Sequence, residues 1–319
     1  MGENLRTAIH DVLMRVTDDL GGPAGVDRFI AATSFEPAIA QHTPELLVEL
    51  NATAEAAGVP RDHLLAHNLM DEHWWWSQAH GQREACSTLA IAGPPAMVGQ
   101  TMDLARILDG SQVVLRHESP HHPAITVLTS AGLVGLCGMS EAGFGVCVNA
   151  LTTLEHSSSG LPVAFVMRGA LAQPSAQAAI EFIKNVPHAS GQHYAVVGHD
   201  AEGSLVSTSL ECSAFGAVAS APNGHSCAHT NHPLATQDID PSMSPTESRS
   251  ELRLSILNDQ LAQVKTIGDL TDLLSVPPIC VDRSDSDWFT FGAIAVELGT
   301  TPTMRYTLGP PSTEPWTAA

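Results

Sequence analysis

Lysine is almost absent from this chain. Among 319 residues only Lys184 and Lys265 are lysines, and Lys and Arg together number 14 against 34 Asp and Glu, a formal net charge of −20. So few cations argue against nucleic acid, where affinity rests on Lys and Arg neutralising phosphates, and against anionic membrane surfaces. Aromatics are scarce at 5%, so few bulky anchors are available for the core. No apolar run approaches the roughly 18 residues of a membrane span. The N-terminus MGENLR is charged and lacks a secretory apolar region, and Arg6 stands at the Ser/Thr position of a myristoylation signal. The six cysteines (86, 137, 147, 212, 227, 280) include no CxxC pair. Five of them lie in apolar or strand-like surroundings, as small buried hydrophobes do, and a reduced, cytoplasmic setting is expected.

The chain nevertheless has the means to fold. Hydrophobic residues make up 44%, and the length suits one large domain or two small ones. Residues 1–85 read as helical. In Thr43–Asn68, Leu46, Leu47, Leu50 and Ala54 share a helix face, Thr43-Pro44-Glu45 forms a helix start, and Gly58-Val-Pro60 breaks it, after which Asp62 caps a helix ending near Glu72. From Cys86 onward short apolar runs alternate with turn residues: 87–92, 96–100, 113–115, 124–129, 133–139 and 145–150. These are strands joined by hairpins. A helix is predicted over 161–185, strands over 194–198 and 205–210, a helix over 247–274 after the Pro/Ser/Asp-rich stretch 238–244, and strands over 289–297 and 303–308. The order predicts an α+β fold of sheets packed face to face with helices outside.

Cys86 opens the first strand-like run, directly after the charged stretch Gln82-Arg-Glu-Ala85. A single cysteine in such a place is ordinarily structural, because reactivity needs a lowered pKa and access. The polar groups that follow change the weighing. Asp103 ends Gly99-Gln-Thr-Met-Asp103, where an adjacent antiparallel strand would return it to Cys86; capping the next segment is its other reading. Asn149 closes the run 143–149, as an oxyanion donor or a turn former, and Asn231 lies in His229-Thr-Asn-His232. A thiol, a carboxylate and two amides suit acyl transfer. The histidines of 229–232, with His117, His121 and His122, could alternatively be read as a zinc site, although their spacing is less regular than such sites show. Trp74, Trp75 and Trp76, just ahead of Cys86, suit a substrate wall or a hydrophobic clamp.

In this order the motifs resemble the isopenicillin N acyltransferase family of self-cleaving cysteine N-terminal-nucleophile (Ntn) hydrolases, with bile-salt hydrolases more distant. They are the Cys86-Ser start, Gly99-Gln-x-x-Asp103, the run from Ala131-Gly-Leu-Val-Gly to Asn149-Ala-Leu151, and His229-Thr-Asn-His232. Gly160-Leu-Pro162, Arg168, Gln173-Pro-Ser-Ala-Gln177 and Leu210-Glu211-Cys-Ser213 extend the likeness over roughly residues 45–310.

The resemblance implies a four-layer αββα sandwich and self-cleavage between Ala85 and Cys86. Residues 1–85 would then be an α chain or propeptide and 86–319 the catalytic β chain, the two staying associated. The new α-amine of Cys86 would be the general base, Asp103 would orient it, and Asn231 would stabilise the oxyanion, with Asn149 beside it. Arg168 and Glu211 are read as a buried structural ion pair or loop anchors. Where relatives that handle a carboxylate-bearing substrate carry an Arg, this chain has Asp287 or a neighbour, with Arg283 upstream. This departure argues against a penicillin-type substrate. The expected activity is hydrolysis of a small neutral or amine-bearing amide without metal or cofactor. The alternatives are an acyltransferase working from acyl-CoA and a metal-dependent hydrolase.

Overall fold

The computed structural model describes residues 1–77, 86–200, 202–242, 249–283, 287–299 and 301–319. Ala85 and most of the stretch before it therefore lie outside the described residues, as do the expected helix start at Glu247 and part of 238–244.

Six helices come first: α1 (Arg6–Asp19), α2 (Pro23–Ala32), α3 (Glu36–His42), α4 (Pro44–Ala57), α5 (Arg61–Asn68) and α6 (Met70–Trp76). The predicted break after α4 is a left-handed turn at Gly58 (φ 72°), a conformation that costs glycine no Cβ clash.

Among the described residues, thirteen strands form two antiparallel sheets. The first holds β1 (Ser87–Ile91), β2 (Ala96–Ala105), β10 (Cys227–His229), β11 (Trp288–Leu298), β12 (Pro302–Thr307) and β13 (Thr317–Ala318), in the order β10-β1-β2-β11-β12-β13. The second runs in sequence order through β3 (Gln112–His117), β4 (Ile125–Ser130), β5 (Cys137–Ser140), β6 (Phe144–Ala150), β7 (Gln192–His199), β8 (Leu205–Ser213) and β9 (Gly216–Ala219). Helices α7 (Val163–Leu171) and α8 (Ala176–Asn185) cover the second sheet, while α9 (Ser250–Leu261) and α10 (Ile267–Leu274) cover the first. The layers are αββα, as the sequence predicts. No helix among the described residues is long and apolar enough to cross a membrane.

Two expected helices are each split, for local reasons. The stretch 161–185 breaks at Pro174, which has no N–H to offer a helix ladder, and Ser175 Oγ then accepts the Ala178 N–H to start α8. The stretch 247–274 breaks at Thr266, which forms a capping box with Asp269. Strand β2 runs on to Ala105, past the expected end at residue 100, because β11 pairs with it through Ala105, beyond the last pairing with β1 at Thr101. That extension carries Asp103 within a strand.

The sheets are pinned to each other by polar side chains as well as apolar packing. Gln100 of β2 donates to the Val148 carbonyl of β6 and accepts the Val148 N–H at 3.1 Å, replacing a ladder partner. Thr88 of β1 donates to Asn149 Oδ1 at 2.8 Å. Buried polar groups survive in a core only when so satisfied.

The N-terminal helices belong to the same apolar core as the sheets, through Ile9, Val12, Phe29, Leu50 and Leu64. Asn68 donates to the Gly132 carbonyl and accepts the Val134 N–H, closing the turn after β4. Gly132 has φ +89°, and a Cβ there would meet Leu64 at 2.8 Å. Glu49 forms a two-pronged ion pair with buried Arg168 of α7. Glu72 accepts the Val163 N–H at the start of α7 and the Ser190 hydroxyl.

Glu72 is 3% exposed. Burial first, then the adjacent Asp71 charge, pushes its pKa from 4.5 to about 7. A raised carboxyl pKa makes the folded state hold a proton that the unfolded state gives up. Stability from this group is therefore full below pH 4.5 and is lost as pH rises to about 7, by about 3 kcal/mol. Glu72→Gln keeps the acceptor but removes the titration. Denaturant midpoints measured from pH 4.5 to 8 should fall for the wild type relative to this variant, and parallel curves would contradict the assignment.

Candidate active site

Pairing puts Cys86 where Asp103 can reach it. The β1–β2 register sets Ser87 opposite Thr101, so continuing it puts Cys86 level with Met102, and Asp103 is the next residue along β2. The Asp103 backbone N–H hydrogen-bonds the Cys86 thiol. Strand β10 pairs on the other side of β1, with His229 opposite Thr88, and its continuation brings Asn231 to the same end of the sheet.

Cys86 is 7% exposed. Its pKa is pushed up to about 12, first by burial and then by the charge of Asp103, with Asp71 adding to it; the Asp103 N–H and Arg253 act the other way. The resting thiol is thus protonated, and its use as a nucleophile requires a nearby base.

Asp103 is itself oriented. Thr290 sits at an irregularity in β11 between Thr290 and Gly292. Its Oγ1 accepts the Val281 N–H at 2.9 Å and donates to Asp103 Oδ1 at 2.6 Å. Because a backbone N–H only donates, the hydroxyl proton is left to the carboxylate.

Arg253 of α9 is fully buried and joins the remaining parts. It donates to the Cys86 carbonyl (2.8 Å), to Ser87 Oγ (2.8 Å) and to Asn231 Oδ1 (3.0 Å). With its oxygen held by the guanidinium, the Asn231 amide turns its NH2 toward the Ala150 carbonyl at 2.9 Å. Ser250 Oγ fixes the Asn231 backbone N–H. Neither Arg253 nor Thr290 was picked out from sequence. Arg253 lies in a run of Leu and Ser that leaves it looking like Arg249, and Thr290 looks like any strand threonine.

Beneath this end of the sheet lies a buried polar cluster. Asn149 Oδ1 accepts from both Thr88 and His193 Nδ1, while its NH2 has no partner among the described residues. His193 stacks on His229 at 3.7 Å, with planes 6° apart. Burial, and then His229, hold the His193 pKa well below its ordinary value. Glu211 bonds His229 and the N–H groups of Leu234, Ala235 and Thr236. Burial works against its charge, but those bonds outweigh it and hold the carboxyl below its usual range.

Several expected residues stand elsewhere. Arg168 and Glu211 do not pair with each other: Arg168 takes Glu49, His117 and the Val134 carbonyl, whereas Glu211 anchors 234–236. Trp75 is buried against Trp74 and His156 and does not line the cavity at Cys86. Asp287 is exposed, and its carbonyl accepts the Arg106 N–H; the neighbouring Trp288 is the one that lines the cavity. Arg283 turns away to Asp109 and Glu314. The histidines are scattered, with His117 on Arg168, His122 on the Pro123 carbonyl and His232 on Ser250. Among the described residues no three His, Cys, Asp or Glu side chains gather as a metal site requires.

The geometry gathers a cysteine, a carboxylate and a carboxamide at one strand end of an αββα sandwich. The sequence model of the acyl-coenzyme A:6-aminopenicillanic acid acyl-transferase family matches residues 92–313. The chain belongs to that family of enzymes. It is 29% identical over 167 residues to the acyl-coenzyme A:6-aminopenicillanic-acid-acyltransferase 40 kDa form of Emericella nidulans, a match covering 50% of this chain and 45% of that protein. Among solved structures it is similar to the penicillin V acylase of Agrobacterium tumefaciens, with a TM-score of 0.41 and 12% identity over 70% of this chain and 83% of that one.

Arg253→Met would leave the buried Cys86 carbonyl without its donor, at a cost of roughly 1–3 kcal/mol, and would release the half-buried Asn231 Oδ1. A melting temperature lowered by several degrees, partly recovered in Arg253→Lys, is expected. An unchanged melt would remove Arg253 from this structural role.

Proposed function

We propose that this protein is a self-processing amidohydrolase that cuts its own chain between Ala85 and Cys86 and then hydrolyses a small-molecule amide through an acyl-enzyme on Cys86. The observation that carries the reading is the convergence of Cys86, Asp103 and Asn231 on one strand end, where Arg253 ties the Cys86 carbonyl to Asn231 and the Asp103 N–H bonds the thiol.

A buried, protonated thiol calls for a base at contact distance. Cleavage supplies one in the Cys86 α-amine, whose unperturbed pKa near 8 suits the task. Asp103, held by Thr290, balances the ammonium formed when that amine takes the thiol proton. Sγ adds to the substrate carbonyl carbon. The second N–H of the Asn231 amide, and the NH2 of Asn149, are the donors suited to the oxyanion. The C–N bond then breaks, the proton passing to the leaving nitrogen, and water attacks the thioester to release the acid and restore the thiol. The N-terminal helices share the core, which supports an α fragment that stays bound after the cut.

Cleavage should yield fragments of about 9 and 25 kDa from the 33.6 kDa chain. Intact mass spectrometry under denaturing conditions reads this directly, with Cys86→Ala giving one uncut chain. A wild type that remains uncut yet turns over substrate would overturn the mechanism. Asn231→Ala, once cut, should lose about 10²- to 10³-fold in kcat, and an unimpaired variant would exclude it as the oxyanion donor.

A second reading, acyl transfer from acyl-CoA to an amine, is favoured by the family's description. It shares every step up to the thioester and differs in what attacks it. Against it stand two lysines, a net charge of −20 and a cavity at Cys86 whose charged residues, among those described, are Asp71 and Asp103, which disfavour a donor carrying several phosphate charges. Assayed at low and moderate salt, N-acyl amines and aminoacyl amides should turn over faster than acyl-CoA thioesters. Faster thioester turnover with capture of the acyl group by an added amine would reverse the order of the two readings.

A further inference from the structure

Two cross-strand rows of polar side chains face each other between the sheets, one step in from Cys86. In the first sheet Thr88 stands opposite His229. In the second, Asn149 stands opposite His193, and His193 opposite Glu211. Thr88 is two residues on from Cys86, and side chains two apart share a face of a strand. The layer therefore lies directly behind the candidate nucleophile. Val148 and Ala150, on either side of Asn149, line the cavity at Cys86.

The hydrogen bonds of this layer fix where its protons sit. His229 Nδ1 is 2.8 Å from the Thr230 carbonyl, and its Nε2 is 2.9 Å from Glu211 Oε1. Both partners accept, since the carboxylate also takes the N–H groups of Leu234, Ala235 and Thr236, which favour its charged form. His229 thus carries both ring protons. His193 is stacked on that cation, and a second charge there is opposed by burial and by the first. It holds one proton. Its Nε2 lies 2.7 Å from Ser209 Oγ, itself 2.7 Å from Ser220 Oγ, and hydroxyls can donate or accept. Its Nδ1 lies 2.8 Å from Asn149 Oδ1, which only accepts. The proton therefore belongs on Nδ1, and Ser209 donates to Nε2. With Thr88 donating as well, the Asn149 oxygen is held from two sides, and its buried NH2 is left without a partner among the described residues.

We propose that His193 is a positioning residue: its single proton, held on Nδ1, fixes the Asn149 amide so that the NH2 is kept for the oxyanion, as a second side-chain donor beside Asn231. This rests on the reading of Cys86 as the acyl-accepting nucleophile and of Asn149 as an oxyanion donor. Two donors on its oxygen also polarise the amide, which strengthens what its N–H groups give. A donor oriented before charge develops costs no reorganisation when it does. The His229 cation serves the same end, because it keeps His193 neutral and so limits it to one proton.

The first test is spectroscopic and uses the mature wild type, so it decides even where a variant fails to fold. Nitrogen-15 spectra of the imidazoles, assigned by correlation to the backbone, should show His193 protonated on Nδ1 alone. A proton on Nε2 instead would mean a reversed Asn149 amide and overturn the inference. The second test is kinetic, with an acyl anilide as substrate. His193→Phe keeps a ring on His229 but donates nothing; kcat should fall about 10- to 10²-fold, part of the cost of one oxyanion donor, with KM within about threefold. His193→Asn, whose NH2 is as many bonds from the backbone as Nδ1, should recover part of that loss. Added to Asn149→Ala, His193→Phe should cost no more than about twofold further, since no amide remains to be oriented. A full additional loss there, or a loss in KM in place of kcat, would make His193 merely structural and overturn the inference. Wild-type kcat in Asn149→Ala overturns it too and leaves Cys86 standing. Equal turnover by Cys86→Ala overturns the nucleophile reading and the inference with it.

Discussion

The candidate site depends on one buried guanidinium. Arg253 reaches from α9, which covers the first sheet, to the carbonyl of Cys86, the hydroxyl of Ser87 and the amide oxygen of Asn231. These groups come from chain positions far apart in sequence. A planar fork of donors can hold several acceptors at fixed angles, which an ammonium cannot. Removing water from such a charge is costly unless every donor direction finds an acceptor, so the helix, the strand and the Asn231 loop are constrained together. Their joint geometry, more than any single residue, defines where a carbonyl could sit over Sγ.

A second constraint is the protonation of Cys86. A thiol with two carboxylates nearby and almost no water resists ionisation. The arrangement makes sense if charge is created there only in passing, with the proton moving a short distance to a base built from the same residue. The same surroundings that disfavour a resting thiolate would protect the cysteine from unwanted reaction. The acidic, lysine-poor character of the whole chain continues into the pocket, where the charged lining residues among those described are Asp71 and Asp103.

The segment ahead of Cys86 is part of this machinery. Glu49, Asn68, Asp71 and Glu72 each engage groups beyond Cys86 in the chain. Their partners are a buried arginine, a turn, a cavity wall and a helix N-terminus. Those buried polar contacts and a continuous apolar core tie residues 1–77 to the two sheets.

Much of this was legible in the sequence because it depends on local rules. Alternating apolar runs after Cys86 mark strands, Gly58 and Pro60 mark a helix end, and the spacing from Cys86 to Asp103 follows from a two-strand hairpin with a known side-chain period. Asn231 stood out because its motif is compact. What tertiary structure alone decided are pairings between distant segments: Arg168 with Glu49 instead of Glu211, Thr290 with Asp103, Arg253 with Asn231, and Trp288 in place of Trp75 or Asp287 at the cavity. A side chain's partner depends on which faces the two sheets present to each other and on where a bulge in β11 turns them. Neither periodicity nor spacing along one strand carries that information, so the sequence determined the strands and the place of Cys86 ahead of the first of them, and the packing of the layers determined its company.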